Sequence, residues 1–188
     1  MSHNPALEAH EQSEHAEHAA HEGDPFISRV AITVAALAVL AAVAGSLETV
    51  ENGRALASTS EAVLHQDEAT DIWNEYEAES LKKHMYGIAA KGGGAAAAKF
   101  GKDSKKYSDA QGPLQQKAKD KEKERDKLLA EAAKHEDRHH WLTGSATLFE
   151  IAIAMSTVAI ITKRRWLWAA AMGFGAVGLV LLGAAYAT

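Results

Sequence analysis

Three apolar stretches interrupt an otherwise polar chain of 188 residues. Val30 to Leu47 is 18 residues without a charge, Trp141 to Thr162 is 22 with Glu150 as the single charge, and Trp166 to Thr188 is 23 with none. An α-helix rises about 1.5 Å per residue, so roughly 20 apolar residues cross a hydrocarbon core of about 30 Å. A helix in a small soluble core keeps one polar face, and these stretches keep none. The pattern predicts transmembrane helices over 27–48, 141–162 and 166–188. Ala42-Val43-Ala44 would suit a signal peptidase, but an acidic tail stands where a signal peptide carries its basic region. The first stretch is therefore read as an uncleaved anchor.

Between the first two spans, residues 49–140 predict an antiparallel helical hairpin. In its first half Leu56, Val63 and Leu64, then Ile72, Trp73 and Tyr76, then Leu81, Met85 and Ile88 recur at three- and four-residue steps, the spacing of a helical stripe. Val30 to Lys91 holds no proline and only the scattered glycines Gly45, Gly53 and Gly87, so the first span is expected to continue outward as one helix. The stretch 91–113, with Gly92-Gly93-Gly94 and Gly112-Pro113, predicts the reversal at the hairpin tip. The returning half alternates charges ("KDKEKERDK"), which suits a solvated helix laced with i,i+4 pairs, and carries a thin apolar seam at Leu114, Ala118, Leu128, Leu129, Ala132 and Ala133. So thin a seam predicts that further copies or a partner pack against the hairpin. The fold class expected is an all-α membrane protein with three spans and a long extramembrane hairpin between spans one and two.

Charge sets the threading. Basic residues in short loops stay in the cytoplasm, and Trp settles at the membrane interface. Lys163, Arg164 and Arg165 occupy the shortest loop, which places the second turn inside. Reading backwards, the N-terminus is inside and the hairpin and C-terminus are outside. Trp141 then marks the outer interface, and Trp166 and Trp168 the inner one. Arg125, Lys127, Lys134 and Arg138 precede span two on the opposite side, although long loops translocate largely regardless of charge. The expected location is the bacterial inner membrane.

Composition removes several chemistries. There is no cysteine, which excludes disulfides, thiolate nucleophiles and Cys-ligated metal. The net charge of -5 comes mainly from the N-terminal tail, and the hairpin has almost no excess of positive charge, so no nucleic-acid partner is expected. No nucleophile–base pair, phosphate-cradling loop or dinucleotide fingerprint is present, so neither an enzyme nor a small-molecule substrate is expected.

Candidate polar sites are few. The tail 1–26, expected to be disordered, carries His10, His15, His18 and His21, whose imidazoles would bind a divalent metal weakly at most. His135, His139 and His140, with His65 or His84, make a second and poorer metal set, because no HExxH-type motif accompanies them. Glu150 lies about 13 Å along the second span from Trp141, inside the apolar zone. An intramembrane carboxyl is a functional-site hypothesis, such as a proton path, but spans one and three supply only Thr33 and Ser46 to extend one. The favoured reading is a hydrogen-bonded Glu150 facing Ser46 or its own symmetry mates. Ala38, Ala42 and Ser46 on span one, and Ala171 and Gly175 on span three, recur at four-residue steps that let helix backbones approach closely in lipid.

Three stretches, "DPFISRVAITVAALAVLAAVAGSLE", "QDEATDIWNEYEAESLKKHMY" and "LFEIAIAMSTVAIITKRRWLW", occur in that order and resemble a bacterial family of membrane proteins known as domain of unknown function four-three-three-seven. The resemblance runs from Asp24 to about Leu182. It implies the anchor, hairpin and two closing spans, and no known activity or site residues. The chain departs from it in the glycine- and lysine-rich stretch Gly92 to Lys106, leaving the shape of the tip open. Asp71, Trp73, Tyr76 and His84 fall in the second stretch, which makes that face a candidate contact surface. The function expected is a non-enzymatic scaffold or accessory subunit that self-associates or docks on a larger membrane complex through Ile72, Trp73 and Tyr76. The alternative is metal-ion or proton handling through the His-rich tail and Glu150.

Overall fold

Pro25 opens the first helix, where its fixed φ is preorganised and its missing N–H costs nothing. The computed structural model describes residues 25–187, and all three of its elements are helices: α1 (Pro25–Lys91), α2 (Ala97–Thr162) and α3 (Arg165–Ala184). Each is long and apolar enough over part of its length to cross a membrane. The tail histidines His10, His15, His18 and His21 lie outside the described residues.

α1 ends where Gly92–Gly94 begin. Gly93 and Gly94 take φ of 77° and 90°, a conformation that costs a residue with a Cβ but not glycine. The Ala97 N–H then bonds the Gly94 carbonyl at 3.1 Å and α2 starts. The reversal is thus shorter than the 91–113 stretch that composition suggested. Gly112 and Pro113 lie inside α2. Pro113 gives no N–H to the Asp109 carbonyl, but both residues sit on an exposed face where water reaches the freed acceptor. The second turn is tighter: Lys163 adopts φ 54°, Arg164 is extended, and α3 starts at Arg165.

Contacts divide the described residues into two compact units, one made of residues up to Ala55 and from Ala133 onward, the other of Leu56–Ala132. In the second, the hairpin unit, the partly or fully buried residues of α1 are Ser58, Ala62, His65, Ala69, Ile72, Tyr76, Glu79, Lys83, Tyr86 and Ala90, with Gln66, Trp73, Ser80 and Gly87 beside them. The first ten alternate steps of four and three. On α2, Ala97, Phe100, Ser104, Tyr107, Gln111, Leu114, Ala118, Lys121, Arg125, Leu128 and Ala132 do the same. This is the heptad of a left-handed coiled coil. Its innermost members are Ala62, Ala69, Ile72, Ala118 and Ala132. Methyl groups bury little area, roughly 0.8 kcal/mol per carbon, so side-chain locks supplement the seam. The Trp73 indole N–H donates to Glu122 Oε1 at 2.9 Å, Ser104 Oγ donates to the Lys83 carbonyl at 3.0 Å, and Arg125 bonds Gln66.

The expected apolar stripe is largely on the other side. Leu56, Val63, Leu64, Leu81, Met85 and Ile88 are exposed, at outer heptad positions. The helical spacing holds for α1, but its larger side chains mark the outer face, whereas the seam is built mostly from small ones.

The span unit has a tighter core. Val30, Val34, Leu37 and Ala44 of α1, Ala146, Phe149 and Ile153 of α2, and Ala171 of α3 belong to one buried cluster. Association of helices in lipid depends on close contact rather than on expelling water, and α3 supplies it through glycine. A Cβ on Gly178 would stand 2.9 Å from the buried Phe149 ring, and one on Gly175 the same distance from Leu37 Cδ2. Beside this contact the Ser145 hydroxyl donates to the Gly178 carbonyl at 2.8 Å.

Candidate functional site

The heptad phase carries two acids and two histidines of the span unit onto the seam: Glu48 and Glu51 of α1, His135 and His139 of α2. Glu51 is 1% exposed. A carboxylate withdrawn from water needs partners, and Glu51 has two. His135 Nδ1 lies 2.5 Å from its Oε2, and the Arg54 guanidinium donates to its Oε1 at 3.1 Å. Beside them, the Thr143 hydroxyl is 2.8 Å from Glu48 Oε1 and 2.9 Å from the His139 carbonyl; its one proton serves one acceptor at a time. His139 Nδ1 is buried without a hydrogen-bond partner, 3.8 Å from Glu48 Oε1. The group thus joins two acids, two histidines and one hydroxyl across α1 and α2. Among the described residues, no three His, Asp or Glu side chains come together as a metal ion would need.

This cluster was only half visible in the sequence. In the sequence Glu48 and Glu51 stand only as charges flanking the first apolar stretch, and His135 and His139 suggest only a poor metal set. What joins them is the seven-residue phase, detectable only once the alanine seam is recognised.

The hairpin unit holds a second polar group. Lys121 Nζ lies 2.9 Å from Glu68 Oε2 and 3.0 Å from Glu124 Oε2, and His65 Nδ1 lies 3.3 Å from each of these oxygens. The hydrogen bond from Lys121, and then its charge, hold both carboxyls below their ordinary value. Reciprocally, hydrogen bonds to Glu68 and Glu124 raise the Lys121 ammonium. Lys82 is raised in the same way by Glu79.

The expected site residues scatter. Ile72 is 9% exposed, and Trp73 and Tyr76 are half-buried with their rings edge-on at 5.5 Å. These three close the hairpin on itself instead of forming an outward face, because they fall on or beside the seam. Glu150 and Ser46 are both exposed, as is Ala42, whereas Ala38 is buried. The close-packing face of α1 therefore follows Val30, Val34, Leu37 and Ala38 rather than the step Ala38, Ala42, Ser46. Ala171 and Gly175 are buried on α3. Lys163, Arg164 and Arg165 are exposed at the turn, with the Arg165 guanidinium 5.8 Å from the Phe26 ring centre. Trp141 and Trp166 are 41% and 61% exposed. Trp168 is half-buried, and its indole N–H donates to Thr33 Oγ1 at 3.1 Å.

Described residues that are all helical apart from the turns, with three candidate membrane-crossing helices among them, two far longer than a bilayer requires, define the class: a membrane protein with helical extensions. The family model described as Domain of unknown function (DUF4337) matches residues 26–188, and the chain belongs to that family. No curated protein and no solved structure matches it.

Proposed function

We propose that this protein is a non-enzymatic, membrane-anchored helical scaffold, or accessory subunit of a larger membrane complex, that works by lateral association. One observation carries this reading. The outer face of α1 in the hairpin unit presents Leu56, Val63 and Leu64, then Leu81, Met85 and Ile88, each 55–72% exposed. A solvated helix keeps such positions polar, and apolar patches rimmed by charge mark contact surfaces. The face differs from the Ile72, Trp73 and Tyr76 surface that the sequence suggested, but its role is the same. The proposed setting is a bacterial inner membrane, with the N-terminus inside and the hairpin and C-terminus outside; the exposed Lys163–Arg165 corner supports this orientation.

The test is mass measurement after mild detergent extraction of the full chain. A multimer, or a stoichiometric complex, is expected, and the Leu64→Gln, Leu81→Gln, Ile88→Gln variant is expected to lose it. A wild-type monomer with nothing co-purifying would overturn the proposal.

A further inference from the structure

The outermost heptad positions of the hairpin unit divide by charge. Along α1, between Leu56 and Ile88, they carry Asp67, Asp71 and Glu77 and not one lysine or arginine. Along α2, between Ala98 and Ala130, they carry seven lysines against three aspartates. All these positions are exposed. One chain thus presents an acidic, partly apolar back on α1 and a basic back on α2.

The levels match as well. Gln66 bonds Arg125, Lys121 pairs with Glu68, and Trp73 bonds Glu122, so residues 66–73 of α1 lie opposite 121–125 of α2. Asp67 and Asp71 on one back therefore stand level with Lys123 and Lys119 on the other. Copies set side by side with their hairpins parallel bring these residues together without sliding.

Resting on the scaffold reading above, we infer that the occupant of the exposed α1 back is a second copy of this chain, which docks with its basic α2 back. Asp67 and Asp71 meet the partner copy's Lys123 and Lys119, and lysine stems cover the apolar patches. The two backs differ, so the contact is heterologous. Each copy that accepts a neighbour on α1 offers α2 to the next, which generates a ring or a row rather than a closed pair.

The absence of cysteine makes the test direct. Asp71→Cys combined with Lys119→Cys in the full chain, oxidised in reconstituted vesicles, is expected to give a ladder of dimers, trimers and higher species. Neither single variant should cross-link. A second measurement uses charge reversal at exposed positions that the seam does not touch. Asp67→Lys with Asp71→Lys, and separately Lys119→Asp with Lys123→Asp, should each lose assembly, and mixing the two variants one to one should restore it. Dimers from Asp71→Cys alone, or no restoration on mixing, would overturn the pairing. If the wild type stays multimeric while these outcomes fail, the pairing falls and the scaffold reading stands. A wild-type monomer sinks both.

Discussion

At the residue scale, two glycines of α3 show how neighbours decide the effect of one methyl group. Gly178 faces the edge of Phe149, a ring buried on all sides, whereas Gly175 faces the movable tip of Leu37. Gly178→Ala forces a packed ring to shift, and overpacking of this kind costs about 1–3 kcal/mol. It also disturbs the backbone carbonyl that Ser145 uses. Gly175→Ala is accommodated by a rotation of Leu37. The expected outcome is a clear fall in thermal midpoint in detergent for Gly178→Ala and a much smaller change for Gly175→Ala. Equal effects would refute the account of this contact. Of the two, Gly175 was legible in the sequence through its four-residue step from Ala171. Gly178 breaks that step and was visible only as one more small residue.

At the scale of elements, the hairpin unit depends on polar locks because its seam is made of methyl groups. The Glu68–Lys121–Glu124 cluster fixes the sign of its pH response. Glu68 and Glu124 are lowered from 4.5, so their contribution is present above that value and is lost as the pH falls through their folded values. Lys121 is raised from 10.5, so its contribution is present below that value and is lost as the pH rises past it. The thermal midpoint of the full chain is expected to be level between roughly pH 5 and 10 in this respect and to decline on both sides. Water reaches the cluster, so the decline is modest and high salt reduces it. Lys121→Met should flatten the acid limb; an unaltered limb would show that other carboxylates control it. Element type was legible here because no proline falls between Pro25 and Pro113 and because Gly92–Gly94 interrupt the chain. The seam was not. Pattern analysis weights large apolar side chains, and Leu56, Leu64 and Ile88 face outward while Ala62, Ala69 and Ala118 pack. Pro113 misled for a related reason: in a long helix one missing rung on a wet face is tolerated.

At the scale of the whole molecule, the span unit makes a statement about sidedness. The Arg138 guanidinium lies 5.7 Å from the Tyr186 ring centre, so the approach to the second apolar stretch and the end of the third helix share one end of this unit. In sealed vesicles, cysteines placed at His140 and Tyr186 are therefore expected to react with a membrane-impermeant maleimide from the same side, and one at Lys163 only from the other. Labelling of all three from one face would mean that the last two helices do not cross. The apolar stretches, their number and their order were fully legible in the sequence, because hydrophobic length is a one-dimensional property. The buried Glu51–His135 pair was not, since it joins residues 84 positions apart and requires the register of two helices.

The corner at Lys163 and Arg164 has a consequence for how the protein is made. Two residues reach at most about 7 Å even when fully extended, and Lys163 is not extended. Such a tether leaves no slack between the end of α2 and the start of α3. Were α2 and α3 both to cross a membrane, they would be expected to enter it together, as a pair joined at this cationic bend.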